Sequence, residues 1–309
     1  MQGEVLIDVK NIKKHYGPIK AVDDISFQVR RGDILGFMGP NGAGKSTAMK
    51  IITCFLQPDE GSVTVAGHDI LTESLAVRQK IGYLPESAPA YGEMTVAGFL
   101  RFVGEARALT DIPGAIRRVV EMTGLEGVLG QTIETLSKGF KRRVGLAQAL
   151  IHDPEVLILD EPTDGLDPNQ KKMVQDLINH IAHNKAIILS THILDEVERV
   201  CNRAVVISSG KLLVDATPEE LIGKAPGHNS LRVELVESDA ALMDRIKTEA
   251  WCGQLHRETE TRFVVVPKDG GNHLSELMDH LGDRKVRTLA VAEGRLDDIF
   301  RELTKEVCA

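Results

Sequence analysis

No CxxC pair occurs in the 309 residues, and the four cysteines, Cys54, Cys201, Cys252 and Cys308, stand far apart with no histidine at zinc-ligand spacing. A disulfide framework and a structural zinc are thereby excluded, and the thiols read as reduced and cytosolic. No apolar run approaches the roughly 20 residues that a bilayer-crossing helix needs, so work at a membrane would depend on a channel supplied by another chain. The first residues carry Glu4 and Asp8 among alternating Val5, Ile7 and Val9, which reads as a strand and not a secretory leader. A basic excess is also missing. The net charge of −8 argues against a general nucleic-acid binder, whose phosphate neutralisation depends on a basic face. Internal repeats and low-complexity tracts are absent.

What is present is an ordinary globular composition, 42% hydrophobic and 27% charged, in a chain long enough for two domains. Apolar alternation at Ile25, Phe27 and Val29, broken by Gly and Pro, predicts strands and turns at the start. The buried run 34–38 predicts a strand, and 46–56 a helix that ends before Pro58, with Cys54 a buried core thiol on it. Helical spacing over 94–125 (Val96, Phe99, Leu100, Val103; Ile116, Val119, Val120) predicts an all-helical insertion, about 88–150. Strands then alternate with helices to about Ile207, the pattern of a largely parallel sheet covered by helices.

Residues 1–222 are therefore expected to form the first domain. The looser stretch 223–230, with Gly223, Pro226, Gly227 and Asn229, is the expected linker. The tail 231–309 reads strand, helix (240–247), strand, strand, helix (274–281), strand and a last helix. That βαββαβ order is similar to a ferredoxin-like α+β sandwich.

The chemistry concentrates at two strand ends. Gly39-Pro40-Asn41-Gly42-Ala43-Gly44-Lys45-Ser46, followed by Thr47, fits GxxxxGK[ST] between a strand and a helix, the context this phosphate loop requires. The glycines let backbone N–H groups turn toward a phosphate, the helix N-terminus adds positive potential, Lys45 suits the β- and γ-phosphates, and Ser46 suits Mg²⁺. The apolar run 156–159 ends in Asp160 and Glu161. Asp160 suits an Mg²⁺ ion, which prefers oxygen ligands, and Glu161 is placed to act as general base toward an attacking water.

Leu136-Ser137-Lys138-Gly139-Phe140 lies between these motifs, and Gly165-Leu166-Asp167 and His192 follow them. Together the set resembles the ABC ATPase series in its usual order, with LSKGF in place of LSGGQ. The fold so implied is a P-loop NTPase α/β domain, a mixed sheet with helices and an inserted helical subdomain. The resemblance implies ATP and Mg²⁺ as cofactors. It also implies that two subunits sandwich two nucleotides, as a homodimer or as a heterodimer with a related ATPase. Ser137, Lys138, Gly139 and Asp167 would then reach the site across the interface, and His192 would face Glu161 and the γ-phosphate. Asp167 could equally be a turn residue before Pro168. Tyr16 matches the adenine-stacking aromatic of the family, with a core tyrosine as its competitor. Glu86, in IGYLPE, stands where the family usually has a glutamine that touches Mg²⁺ and senses the membrane partner.

IGYLPE, the LSKGFKRRVGLAQALIHDP run and LDDIFREL are similar to the drug-export and gliding-motility branch of prokaryotic ABC ATP-binding subunits. That branch implies a separate polytopic permease, an export function, and a cytoplasmic protein lying on the inner face of the cell membrane. The alternatives are a soluble ABC ATPase acting on ribosomes or nucleic acid, and an importer subunit. The single phosphate loop, and the lack of a zinc module or long coiled coil, favour the transporter, with no nucleic-acid partner expected.

Overall fold

The computed structural model describes residues 3–87 and 91–305; Cys308 lies outside them. The chain divides into two compact units, Met1–Ala216 and Thr217–Ala309.

The first unit opens with β1 (Val5–Tyr16) and β2 (Ile19–Arg30), an antiparallel pair joined by a tight turn at Gly17. β3 (Ile34–Met38) leads through the glycine loop into α1 (Lys45–Ile52). There follow β4 (Glu60–Val65), β5 (His68–Asp69), α2 (Ser74–Lys80) and β6 (Ile81–Leu84). Between β6 and β7 (Val156–Asp160) come α3 (Val96–Ala106), α4 (Ile112–Thr123) and α5 (Lys138–Leu150). The unit closes with α6 (Pro168–Ala182), β8 (Ala186–Ser190), α7 (Leu194–Val200), β9 (Arg203–Ser208) and β10 (Lys211–Ala216).

Two sheets result. One is four-stranded in the order β2-β1-β4-β5; the other is six-stranded in the order β10-β9-β3-β8-β7-β6, parallel except for its β9–β10 edge pair. β3, β7 and β8 are buried along their whole length, as expected of strands covered on both faces. Each fully buried Leu or Ile there contributes about 1.5–3 kcal/mol. Parallel strands bring their C-terminal ends to one edge, so the residues after β3, β7 and β8 converge there.

Close packing supports that edge from below. A Cβ built on Gly36 of β3 would lie 2.8 Å from Val197 Cγ1 and 3.1 Å from Cys201 Sγ, so only glycine lets α7 lie this close to the central strand. The helix read over 46–56 ends at Ile52 instead. Cys54 takes a left-handed φ of 62°, and the N–H groups of Phe55 and Leu56 both bond to Lys50 O, which winds up the last turn. Cys54 is consequently half-buried beyond the helix, packed against the core from a turn.

The second unit holds α8 (Pro218–Gly223), β11 (Ser230–Leu235), α9 (Ala240–Lys247), β12 (Cys252–Arg257), β13 (Arg262–Pro267), α10 (Leu274–Leu281), β14 (Val286–Ala292) and α11 (Leu296–Lys305). Its sheet is antiparallel throughout, in the order β12-β13-β11-β14. Leu231, Val233, Phe263 and Val265 face Leu242, Ile246, Leu277 and Leu281 in one apolar core. The break at 216/217 falls ahead of the 222 boundary suggested by composition. α8, begun by a Thr217–Glu220 capping box, packs with α11 of its own unit.

Candidate functional site

The glycine loop is held open by its own backbone. Gly44, the residue before α1, has φ 106°, and a Cβ there would lie 2.1 Å from Ala21 O on β2, so both conformation and space demand glycine. Ala43 N donates to Pro40 O at 3.1 Å, and Gly210 N donates to Ala43 O at 3.0 Å. Gly44 offers no side-chain cap, and the first turn of α1 carries no acidic residue. The N–H groups of that turn are left to an anion. Asn41, Gly42 and Ser46 are exposed, Ala43 is buried, and Thr47 is partly covered.

Lys45 curls back over this loop, donating to Gly39 O at 2.6 Å and to Pro40 O at 3.2 Å. Burial pulls its ammonium pKa down, while Glu161, Asp160 and Glu86 pull it up again, so three carboxylates face one lysine.

Asp160 ends β7 and is only 5% exposed. Burial pushes its carboxyl up and the Glu86 charge adds to the rise, with Arg142 and Lys45 opposing. Glu161 has a left-handed φ of 50°, and its N–H bonds to Ser190 O at 2.9 Å, which turns its side chain out of the strand line. His192 Nδ1 lies 2.9 Å from Glu161 Oε1. Burial raises the Glu161 carboxyl and His192 lowers it. A carboxyl raised by burial yet engaged by an imidazole is what a general base near neutrality requires.

Two residues that the motifs do not advertise hold these groups in place. Arg142, buried on α5, donates from Nη1 to Pro85 O and Glu86 O and from Nη2 to Asp160 O and Glu161 O. Glu196 on α7, also buried, accepts from the Thr163 hydroxyl and, at 3.0 Å, from the Thr191 hydroxyl, joining the segment after Glu161 to the one before His192. In sequence, an Arg in a KRR run and a Glu in a polar helix read as solvated faces. Charge type gave no signal of their burial.

The remaining candidates, Gly139 apart, sit at the surface. Ser137 caps α5, its hydroxyl accepting from Phe140 N at 3.3 Å, and Lys138 pairs with Asp164 at 2.8 Å. Gly139 is buried against Gln170. Asp167 caps α6 by accepting from Gln170 N at 2.9 Å, with Pro168 at the first helical position, so its turn role is realised. Tyr16 is 49% exposed, which removes the core-tyrosine reading. It ends β1 opposite Ile19, on the hairpin whose return strand reaches Gly44 through Ala21. Glu86 is exposed.

Ser46, Asp160 and Glu86 offer oxygen donors only, and the two carboxylates influence the same lysine. That chemistry fits Mg²⁺ and not a soft metal. Among the described residues no cluster of three or more His, Cys, Asp or Glu side chains is arranged to hold a metal by itself. No helix among the described residues is long and apolar enough to cross a membrane.

A family model described as "ABC transporter" matches residues 22–164. The Nod factor export ATP-binding protein I of Burkholderia orbicola (strain AU 1054) is 32% identical, covering 96% of each chain. The linearmycin resistance ATP-binding protein LnrL of Bacillus subtilis (strain 168) is 30% identical over 97% of this chain and 98% of that one. A solved structure described as the ATP binding subunit of an ABC transporter superposes with a TM-score of 0.65 at 30% identity, covering 70% of this chain and 91% of that chain.

Proposed function

Because the chain belongs to the ABC transporter ATP-binding family, we propose that it is the ATP-hydrolysing subunit of an export system whose channel is a separate polytopic membrane chain. Its first unit has the P-loop ABC ATPase fold with mixed α/β sheets. Relatives named for Nod factor export and linearmycin resistance, matched over nearly their whole length, support export over import.

The observation that carries the reading is the convergence of Lys45, Asp160 and the Glu161–His192 pair at the ends of three neighbouring parallel strands. ATP phosphates lie along Gly39, Pro40, Asn41, Gly42, Ala43, Gly44, Lys45, Ser46 and Thr47, with adenine on Tyr16. Ser46, Asp160 and Glu86 would hold Mg²⁺, whose chemistry when bound is to offset charge on the phosphate oxygens. Glu161 accepts the proton of the water whose oxygen attacks the γ-phosphorus; the bond to the bridging oxygen breaks, and ADP and phosphate leave. His192 keeps the Glu161 carboxylate oriented. Ser137, Lys138, Gly139 and Asp167 serve the site of a second subunit, whether an identical chain or a related ATPase, so ATP closes a dimer and hydrolysis reopens it.

We assign the helical subdomain to about 88–150, since three α-helices, two short 3-10 helices and no named strand lie between β6 and β7 among the described residues. The second unit is read as a ferredoxin-like accessory domain, supported by its βαββαβ order and its strand order β12-β13-β11-β14. The protein would work on the cytoplasmic face of the cell membrane, without nucleic acid. Two measurements test this together: phosphate release from ATP by the purified chain, and recovery of a polytopic membrane protein with the tagged chain from detergent extracts. Recovery with ribosomes or DNA, and no membrane protein, refutes the transport assignment.

A further inference from the structure

Arg142 is 6% exposed; burial lowers its pKa, and the charges of Asp160, Asp164, Glu161 and Glu86 oppose that fall. A buried cation is costly unless its donors are met, and here main-chain carbonyls meet both terminal nitrogens while Nε stays buried without a partner. Nη1 donates to Pro85 O at 2.9 Å and to Glu86 O at 2.5 Å, while Nη2 donates to Asp160 O and Glu161 O. The planar fork of arginine can hold two main-chain segments at once because its two terminal nitrogens diverge. The first segment follows β6 and ends at the exposed Glu86; the second carries the proposed base.

The neighbouring residue faces the other way. Arg143 Nη1 donates to Gly124 O at 2.8 Å and to Thr123 O at 3.3 Å, the carbonyl end of α4, and its guanidinium lies 3.9 Å from the centre of the Phe140 ring. A cation there also complements the negative end of the helix dipole. Consecutive residues of α5 thus fasten α4 on one side and the Glu86 and Glu161 main chains on the other.

We propose that Arg142 is a positioning residue that couples the main chain at Glu86 to the main chain at Glu161, so that displacement of the exposed Glu86 segment is carried to the base. The inference rests on reading Glu161 as that base. Lysine in its place keeps the charge but presents a single nitrogen, and glutamine keeps two donors on one nitrogen without charge. Neither can hold both segments.

The test uses the full chain with Arg142→Lys and Arg142→Gln. Both variants are expected to lower kcat by about ten-fold or more while KM for ATP stays within about three-fold. Amide exchange, measured without nucleotide, is expected to speed up in a peptide spanning 82–87 and to stay unchanged in β3 and β9. Wild-type kcat in either variant overturns the proposal. So does lost activity with unchanged exchange at 82–87, or exchange that rises evenly through the first unit, which would assign Arg142 a merely structural role. A wild-type chain that fails to hydrolyse ATP refutes the functional reading instead, while the exchange comparison still decides whether Arg142 bridges the two segments.

Discussion

His192 Nδ1 stands 2.9 Å from Glu161 Oε1, and the two residues follow neighbouring parallel strands, β8 and β7. The imidazole is 63% exposed, whereas the carboxylate is 15% exposed. The contact therefore joins a wet residue to a sheltered one, and in the proposed mechanism the sheltered one takes the proton.

Glu161→Gln keeps the shape of the site and removes the base. Steady-state phosphate release is expected to fall by about 10²- to 10⁴-fold, the usual worth of a positioned general base, with ATP binding retained. The variant should accumulate as an ATP-bound dimer on size exclusion. A variant that hydrolyses ATP at the wild-type rate would remove Glu161 from the mechanism.

Tyr16 tests nucleotide binding separately from chemistry. Loss of one base–aromatic stack costs about 1–3 kcal/mol, so Tyr16→Ala is expected to raise KM for ATP with kcat nearly unchanged. Titration with an ATP analogue that is not hydrolysed provides the check, and equal affinity for the two proteins would count against the stack.

Glu86→Gln removes one of three carboxylates that act on Lys45. The variant is expected to retain ATPase activity but to shift its Mg²⁺ requirement, and stripping the ion with a chelator should stop hydrolysis in both proteins. Superimposable Mg²⁺ titrations would exclude Glu86 as a ligand.

His152 sets a pH dependence of stability away from the site. Its Nε2 lies 3.0 Å from Ile81 O, its Nδ1 is buried without a partner, and burial lowers its pKa to about 4. The folded chain thus holds the imidazole neutral, while the unfolded chain takes up a proton below about 6.5. This contribution is present above about pH 6.5 and is lost as pH falls toward 4, on the order of 3 kcal/mol across the window. Urea midpoints at several pH values should show a shallower acid loss for His152→Gln; parallel curves would refute the assignment.

The legible parts of the sequence were those in which pattern and chemistry coincide. Helix periodicity placed the bounds of α9 and α10, where apolar residues face a single core. The phosphate loop was readable because its glycines answer a local demand, visible at Gly44. Arg142 and Glu196 escaped because burial of a charge depends on partners distant in the chain: Pro85 and Asp160 for the one, Thr163 for the other. The early end of α1 escaped for a related reason. Cys54 turns left-handed in a stretch whose apolar spacing still looks helical. α8 lay unread because its packing partner, α11, comes at the far end of the chain.

The close fit of α7 on Gly36 has a mechanical consequence. His192 precedes a helix that has no room to move toward the central strand, and Glu196 ties that helix to Thr163 and Thr191. The opposite flank ends in the exposed Glu86, whose main chain is gripped by Arg142. The two flanks of Glu161 are thus held by different means. Close packing and hydroxyl bonds fix the histidine flank, whereas the Glu86 flank is held through its main chain by Arg142, the residue proposed to carry its displacement to the site.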